Sequence, residues 1–454
     1  MTSGVQATTF RQYLPHYRDT LRLGLPIVLG QLGIVAVGFL DSIMVGRYAT
    51  ADLAASSFVN SVFNLPLLFG IGFSYGLTPL VGQFFGRGEH ARVGELLRDS
   101  LWVNGIVGVV LSLIMWLCYA NLHRAGQPVE LLPLIRPYFL LQTVSLVFLM
   151  TFNAFKQFSD GIRDTVTPMW IMLGSNVLNV IGNYILIYGH AGFPPMGLTG
   201  AGISTLVARV AALLAFAIAF FYGTAYAPYR HGFFARRRRR SDARTLTRMG
   251  LMVGTQMGME TGLFSITGVM VGWLGPIALA AHQVTVTLSM LGFMIYYGFG
   301  AAISVRVSNL IGRGSLAEVR RATAAGFHLI MVMASIVAIF FLVSRGWIAY
   351  LFTDSPEVVG GVSILMIIMA VYQFGDGLQI TYANSLRGIS DVVSMAALSF
   401  IGYFLVALPL CYLAGFTFGG GLTGVWMGYP VGLTLAGLLF RARYRQRLRR
   451  LSRR

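Results

Sequence analysis

Three acidic side chains lie inside long apolar stretches of this sequence, namely Asp41, Glu260 and Asp376. A charged side chain at the centre of a bilayer costs at least about 2.5–3.5 kcal/mol, and most such residues face the protein interior and have a function. A buried carboxylate without a cation beside it holds a proton, and with nearby oxygen ligands it binds Na⁺. These acids are therefore candidate sites for coupling ions. The alternative for each is a permanently protonated acid that joins two helices by hydrogen bonds.

The depth of each acid in its predicted helix separates the three into two sites. Measured from the nearest flanking arginine at 1.5 Å per residue, Glu260 lies about 18 Å and Asp376 about 16 Å into the span, near the midplane. Asp41 lies about 28 Å from Arg22 at the inner edge of its span, and therefore in the outer part of the span. Glu260 and Asp376 are accordingly the predicted ligands of a cation such as Na⁺, and Asp41 is a separate site.

Three amide side chains also lie inside an apolar stretch. They are in the fifth stretch, at Asn176, Asn179 and Asn183. Spacings of three and four residues place all three on one face of a helix. If that face meets Asp41, the amides supply hydrogen bonds and oxygen atoms to the carboxylate. The alternative is a polar seam between helices, which is common in membrane proteins.

Weaker candidates for contact with a substrate are Gln31, Gln256, Tyr296 and Tyr297. The aromatic faces of Tyr296 and Tyr297 suit a lipophilic cation, although packing or contact with lipid is the more ordinary role for any one such residue. Arg209 stands within the sixth apolar stretch, where it can pair with an acid or extend to the membrane surface, and the sequence leaves both open.

The amino-acid composition predicts that the acidic and amide side chains are carried by membrane-spanning helices. Hydrophobic residues make up 56% of the 454 positions and charged residues 11%, whereas a soluble domain carries about 25% charged residues. The apolar residues recur in stretches long enough to cross a hydrocarbon core of about 30 Å as helices. We predict an all-α membrane protein with spans at 22–46, 53–80, 97–119, 132–154, 167–189, 198–222, 249–273, 281–305, 323–344, 361–384, 393–415 and 422–440.

The distribution of basic residues predicts the orientation of these spans. With both termini inside, the inner segments hold 29 basic residues and the outer loops hold four, a bias that the positive-inside rule associates with the cytoplasm. The run Arg236–Arg240 and the tail Arg441–Arg454 suit anionic lipid headgroups rather than nucleic acid. We therefore expect a bacterial inner-membrane protein with both termini cytoplasmic. The single lysine, Lys156, is expected in an inner loop, away from the acids.

An internal repeat divides the chain into two halves. The segment VGQFFGRG at 81–88 matches VSNLIGRG at 307–314 with an offset of 226, and DGIRDTVT at 160–167 matches RGISDVVS at 387–394 with an offset of 227. Six spans per half give both halves the same orientation, which defines a parallel repeat around a central cavity. The predicted divisions are an N-terminal tail at 1–21, a six-helix bundle at 22–222, a basic linker at 223–248, a second bundle at 249–440 and a C-terminal tail at 441–454.

Short motifs after individual spans resemble the multidrug and toxic compound extrusion (MATE) family, and the resemblance covers about residues 10–440. These motifs are VGRYATADLAA after the first span, VGQFFGRGE after the second and ALAAHQV after the seventh. An acid in the first span, a Glu in the seventh and an Asp in the tenth resemble its NorM-like branch. Asn183 stands where an archaeal-type branch has Asp, which places a proton relay needing that second acid in doubt.

The resemblance implies an antiporter in which inward flow of Na⁺ or H⁺ drives export of amphipathic or cationic drugs and dyes. It implies no organic cofactor and no nucleic-acid partner, and we expect a monomer surrounded by lipid. The alternatives are a dedicated exporter of one metabolite and a lipid-linked precursor flippase of the same superfamily. We find no clustered catalytic motif at the predicted membrane surface, so an enzyme is not expected.

Overall fold

A computed structural model describes residues 10–124, 128–235 and 240–453, and these residues form helices and connecting turns without a β-strand. Residues 236–239 of the predicted basic run, Arg454, and residues 1–9 of the predicted N-terminal tail lie outside the described residues. The α-helices are α1 (Phe10–Tyr48), α2 (Thr50–Ser74), α3 (Leu77–Gly86), α4 (His90–Ala120), α5 (Leu132–Gly161), α6 (Val166–Tyr188), α7 (Gly197–Tyr222), α8 (Ala227–Phe233), α9 (Arg240–Gly272), α10 (Pro276–Gly312), α11 (Leu316–Ser344), α12 (Pro356–Gly388), α13 (Val392–Phe400), α14 (Leu408–Tyr412) and α15 (Gly421–Leu451).

Each of the twelve predicted spans coincides with a helix or with consecutive helical segments. Within the described residues, eleven stretches are long and apolar enough to cross a membrane. The twelfth predicted span lies in α9, which is not among these eleven. Its polar side chains Gln256 and Glu260 lower the mean hydropathy of α9, so the least apolar span contains one of the candidate acids.

Several helices extend well beyond the predicted spans. The first begins at Phe10 rather than near residue 22, and α15 continues to Leu451, through most of the predicted C-terminal tail. The predicted linker contains α8 and the beginning of α9. Arginine is a strong helix former, so basic segments can continue a helix once the apolar residues have started it.

The chain divides into two compact units. The N-terminal unit is Leu29–Thr261, and the C-terminal unit comprises the described residues before Leu29 together with those from Gly262 onward. The borders between units thus fall inside α1 and α9. The bundle limits at 222 and 249 stay predictions.

Aromatic packing and close helix contacts stabilise the N-terminal unit. Phe155, Phe158, Phe216 and Phe220 are buried between α5 and α7. A Cβ atom added to Gly94 would lie 2.0 Å from the Tyr229 carbonyl oxygen, so α4 approaches α8 at a distance that only glycine allows. This packing fixes α5 and α7, which contribute side chains to the cavity described below.

In the C-terminal unit α12 packs against α10, α11 and α15. The beginning of α1 is attached to α10 by Arg306, whose guanidinium donates to the His16 carbonyl oxygen and to the Thr20 hydroxyl, both at 2.7 Å. The eleventh span contains two π-helical segments, Ile401–Ala407 and Leu413–Thr417, whereas α6, its counterpart in the repeat, is a continuous α-helix. The repeat therefore preserves the order of spans without preserving the local geometry of every helix.

Candidate functional site

Asp41 accepts hydrogen bonds from the amide face of α6. The side-chain nitrogen of Asn183 donates to Asp41 Oδ1. With its amide nitrogen turned toward the carboxylate, Asn179 donates to the same oxygen at 2.9 Å. Both asparagines are buried, so the spacing of four residues on α6 brings two neutral donors to one carboxylate. Hydrogen bonds to a charged group are worth roughly 1.5–3 kcal/mol each.

A cavity of about 310 Å³ lies within the N-terminal unit beside this carboxylate. Its volume is at the small end of the range of roughly 300–1,000 Å³ that small-molecule sites occupy. The polar residues on its wall are Gln31, Asp41, Tyr75, Asn153, Lys156, Ser175, Asn176, Asn179, Thr205 and Arg209. The apolar residues on its wall include Ile34, Val37, Leu67, Ile71, Leu149, Phe152 and Met172.

Arg209 on α7 lines this cavity, which answers the question that the sequence left open. Its Nη1 donates to Gln142 Oε1 at 3.2 Å and to the Ser145 hydroxyl, both on α5. Two neutral acceptors thus hold one nitrogen of the guanidinium. The side chain is directed into the N-terminal unit rather than toward the membrane surface.

The expectation that Lys156 lies in a loop is wrong. Lys156 is a buried residue of α5, and its Nζ lies 2.9 Å from Asp160 Oδ2, one helical turn further along. The apolar pattern of span four ended before this residue, so the pattern did not indicate that α5 continues to Gly161. Because Lys156 also lines the cavity, the N-terminal unit places two cationic side chains and Asp41 around one space.

Asn176 and Gln31, the other predicted polar residues of this half, also lie on the cavity wall. The side-chain nitrogen of Asn176 is buried and has no hydrogen-bond partner among the described residues, and the same is true of Asn153. Neither Asn153 nor Lys156 was a predicted site residue. The residue type alone gives no reason to place them at a cavity, since Asn153 lies at the end of an ordinary apolar span and Lys156 directly follows that span.

Glu260 lies on α9, near the end of the N-terminal unit. The Gln256 side-chain nitrogen donates to Glu260 Oε2 at 3.0 Å, one turn earlier on the same helix. The carboxylate is half-buried and Gln256 is buried. A hydrogen bond thus joins Glu260, a predicted cation ligand, to Gln256, which was predicted to contact a substrate. A joint cation site of Glu260 and Asp376 stays a prediction.

Asp376 lies on α12 in the C-terminal unit, and 1% of its surface is exposed. Gln373, one turn earlier, is fully buried, as is Tyr296 on α10. The side-chain oxygen and nitrogen of Gln373 and the hydroxyl of Tyr296 have no hydrogen-bond partner among the described residues. A Cβ atom built on Gly292 would lie 3.0 Å from Gln373 Oε1 and 3.6 Å from the Tyr296 hydroxyl. Two neutral oxygens therefore flank the same glycine.

Among the described residues there is no cluster of three or more His, Cys, Asp or Glu side chains. A cation in the C-terminal unit would accordingly need neutral oxygens beside a carboxylate. Gln373 Oε1 and the Tyr296 hydroxyl are oxygens of that kind, and oxygen ligands are those that hard cations prefer. Tyr297, the other predicted cavity aromatic, is buried and packs its ring against Phe293. Neither tyrosine lines the cavity of the N-terminal unit.

The family model for MatE matches this chain twice, at residues 26–185 and at residues 253–413. The chain belongs to this family of membrane transporters, whose members are not enzymes. The two matches fall in the two halves that the internal repeat defines.

Solved structures of MATE transporters have the same fold. The eukaryotic transporter AtDTX14 is 18% identical with a TM-score of 0.86, covering 97% of this chain and 98% of that one. The Vibrio cholerae transporter VcmN, solved as a point mutant, is 18% identical with a TM-score of 0.85 over 97% and 98%. A Pyrococcus furiosus transporter of the MOP superfamily is 19% identical with a TM-score of 0.86 over 96% and 97%. The chain is thus a multi-pass efflux transporter with two repeated helical bundles.

Proposed function

We propose that this protein is a cation-coupled multidrug efflux antiporter that exports amphipathic or cationic compounds. The coupling ion is Na⁺ or H⁺, and it enters as the compound leaves. The family supplies the transporter fold. The buried acid Asp376, with two unpartnered neutral oxygens nearby on Gln373 and Tyr296, is the observation that carries the proposal. A carboxylate buried in a membrane span is costly, and a mobile cation or proton offsets that cost.

The proposed mechanism is competition between ion and compound for alternating conformations of the transporter. Binding of a cation at Asp376, with Glu260 as its proposed partner, or protonation of Asp41 favours release of the compound on the outer side. For such exchange the ion must bind one conformation more tightly than the other. The difference in affinity sets the limit on how far the ion gradient can drive export.

We further propose that the protein resides in a bacterial inner membrane as a monomer with both termini in the cytoplasm. The excess of basic residues in the segments assigned to that side supports this orientation. The helix α15 carries arginines to its end at Leu451, so a basic helical surface would lie beside the anionic headgroups of the inner leaflet.

Purified protein in liposomes tests the coupling directly. A Na⁺ gradient and a pH gradient are imposed separately, and transport of a fluorescent cation such as ethidium is followed. The variants are Asp376→Asn, Glu260→Gln and Asp41→Asn, which remove one charge each with little change in shape. Glu357→Gln is the matched control because Glu357 is an exposed carboxylate at the start of the same helix as Asp376.

We expect one of the two gradients to drive transport in the parent protein and in Glu357→Gln. Asp376→Asn and Glu260→Gln should each lower gradient-driven transport by at least about tenfold, the effect of losing roughly 1.4 kcal/mol of ion-dependent stabilisation. Unchanged coupling in both variants would contradict the ion site. Transport of a single compound from a broad panel would instead favour a dedicated exporter.

A further inference from the structure

The cavity of the N-terminal unit has cationic as well as anionic side chains on its wall, and one of the cations, Lys156, is paired with Asp160 beside it. Its wall contains the guanidinium of Arg209, the ammonium of Lys156 and the single carboxylate of Asp41. A site built only for cations would not need two cationic side chains on its wall, because like charges repel a cationic ligand strongly where water is scarce.

Hydrogen-bond donors are also in excess on this wall. Arg209 uses Nη1 for Gln142 and Ser145, and its Nε and Nη2 make no hydrogen bond with the described part of the chain. The side-chain nitrogens of Asn153 and Asn176 are buried without an acceptor. Buried polar groups are nearly always paired, so the unbonded edge of the Arg209 guanidinium on the cavity wall calls for a further acceptor.

The guanidinium is oriented for such an acceptor by its anchoring. Because Gln142 and Ser145 both bind Nη1, the opposite edge of the planar group, formed by Nε and Nη2, stays available. That edge carries two parallel N–H donors and matches the two oxygens of a carboxylate. The two acceptors bonded to Arg209 are neutral, and Asp41 on the same wall is the carboxylate that interacts with its charge, whereas Lys156 pairs with the carboxylate of Asp160.

The apolar part of the cavity wall indicates what kind of ligand would bring a carboxylate to Arg209. Phe152, Ile71 and Met172 are among the apolar side chains that face the same space. A volume of about 310 Å³ fits one aromatic or aliphatic body of small-molecule size. Asp41 on the same wall leaves room for a positive group elsewhere on the ligand.

We propose that Arg209 binds the carboxylate of an amphipathic substrate in this cavity, so that the transporter accepts carboxylate-bearing and zwitterionic compounds. Arg209 then determines specificity within the transport activity, and this inference rests on the proposed export function.

Two dyes with one chromophore test the proposal. Rhodamine B has a free carboxylate, and its ethyl ester has the same ring system and cation without that negative charge. Affinity for each dye is measured by fluorescence anisotropy on purified full-length protein in detergent, and export of each is measured in liposomes. The variants are Arg209→Gln, Arg209→Lys and the control Arg136→Gln, which removes an exposed arginine from α5.

The measured quantity is the ratio of the two affinities. We expect Arg209→Gln to weaken binding of rhodamine B by at least about tenfold more than binding of the ester, the effect of a lost charge-assisted pair. Arg209→Lys should restore part of that ratio because it keeps the charge without the two-pronged geometry. Arg136→Gln should leave the ratio as in the parent protein.

Three results would overturn the proposal. They are a parent protein that fails to bind rhodamine B, an equal loss of both dyes in Arg209→Gln, and a ratio that Arg209→Gln does not change. Equal loss would assign Arg209 a structural role in holding α7 to α5. Failure of the proposed export function is a separate outcome, since in that case neither dye would be moved by an ion gradient in the parent protein.

Discussion

The two halves of the chain share a helical plan but carry different polar groups at equivalent positions. At the repeat offset of 226, Asp41 corresponds to Thr267, whose hydroxyl forms a hydrogen bond with that of Tyr429. Asp376 corresponds to Leu149 at an offset of 227, and Leu149 is an apolar residue on the N-terminal cavity wall. Each half therefore keeps an acid where the other half is neutral. The repeat thus gives both halves the same order of helices, while the acidic residues occupy different positions in each half.

The surroundings of the two acids differ as much as their positions. Asp41 borders a cavity and accepts hydrogen bonds from α6, whereas Asp376 is enclosed, with 1% of its surface exposed. A ligand of small-molecule size can reach an acid on a cavity wall. An enclosed acid suits an ion or a proton. The comparison leads us to propose that a substrate contacts Asp41 and that a coupling ion binds at Asp376, and four experiments test this difference between the halves.

The largest expected effect comes from the buried ion pair of the N-terminal unit. Lys156→Met leaves Asp160 charged and buried, and breaking such a pair costs about 3–5 kcal/mol. The equivalent of Asp160 in the other half is Arg387, so the pair is particular to the N-terminal half. Unfolding in detergent, followed by intrinsic fluorescence, should show a large loss of stability. The double variant Lys156→Met/Asp160→Leu should regain most of it, and a double variant as unstable as the single one would contradict this account.

A smaller effect is expected from the contact between Asp41 and Asn183. Asn183→Leu removes a donor to the carboxylate, which is worth roughly 1.5–3 kcal/mol when the acceptor is charged. We expect export to fall by about tenfold in Asn183→Leu and by a similar factor in Asp41→Asn. The double variant should be little worse than either single variant because both remove one interaction. Strictly additive losses in transport rate would show that the two residues act independently.

The variant Tyr296→Phe tests whether the buried Tyr296 hydroxyl contributes to ion binding in the C-terminal unit. The Tyr296 hydroxyl is buried without a hydrogen-bond partner among the described residues, so removing it should leave stability without the coupling ion unchanged or raise it by about 1 kcal/mol. Half-maximal transport should then require several-fold more ion. Phe293→Leu, on the same helix, is the control for a change in aromatic packing. Lower stability with unchanged ion dependence would assign Tyr296 to packing alone.

The smallest expected effect concerns the part-exposed pair in the C-terminal unit. Arg443 Nε lies 2.8 Å from Asp391 Oδ2, and both side chains are partly exposed. Such pairs contribute about 0–1 kcal/mol, so Arg443→Gln should lower stability far less than Lys156→Met. Measurement of both variants in the same detergent compares them directly. Equal losses would mean that burial does not account for the strength of the Lys156 pair.

Apolar stretches and the repeat made the spans predictable, because a helix in lipid must satisfy its own backbone and shows this as an uninterrupted apolar run. The candidate acids were visible for the same reason, as exceptions within those runs. The course of α5 beyond its apolar core was not visible, so Lys156 was misplaced in a loop. Gln373 was also missed, although it lies one turn from Asp376, because a lone amide in a span has many ordinary roles.

The amino-acid sequence alone predicted the all-helical fold, the duplication, and which carboxylates lie within long helices. The three-dimensional packing was needed to show that α6 presents its amides to Asp41 and that α5 holds Arg209 through Nη1. It also showed that Asp41, Arg209 and Lys156 lie on one cavity wall. The hydropathy of a residue measures its own cost of transfer into lipid, so it can be evaluated from the sequence one residue at a time. The partner that offsets this cost comes from another helix, so its identity depends on packing between segments far apart in the chain.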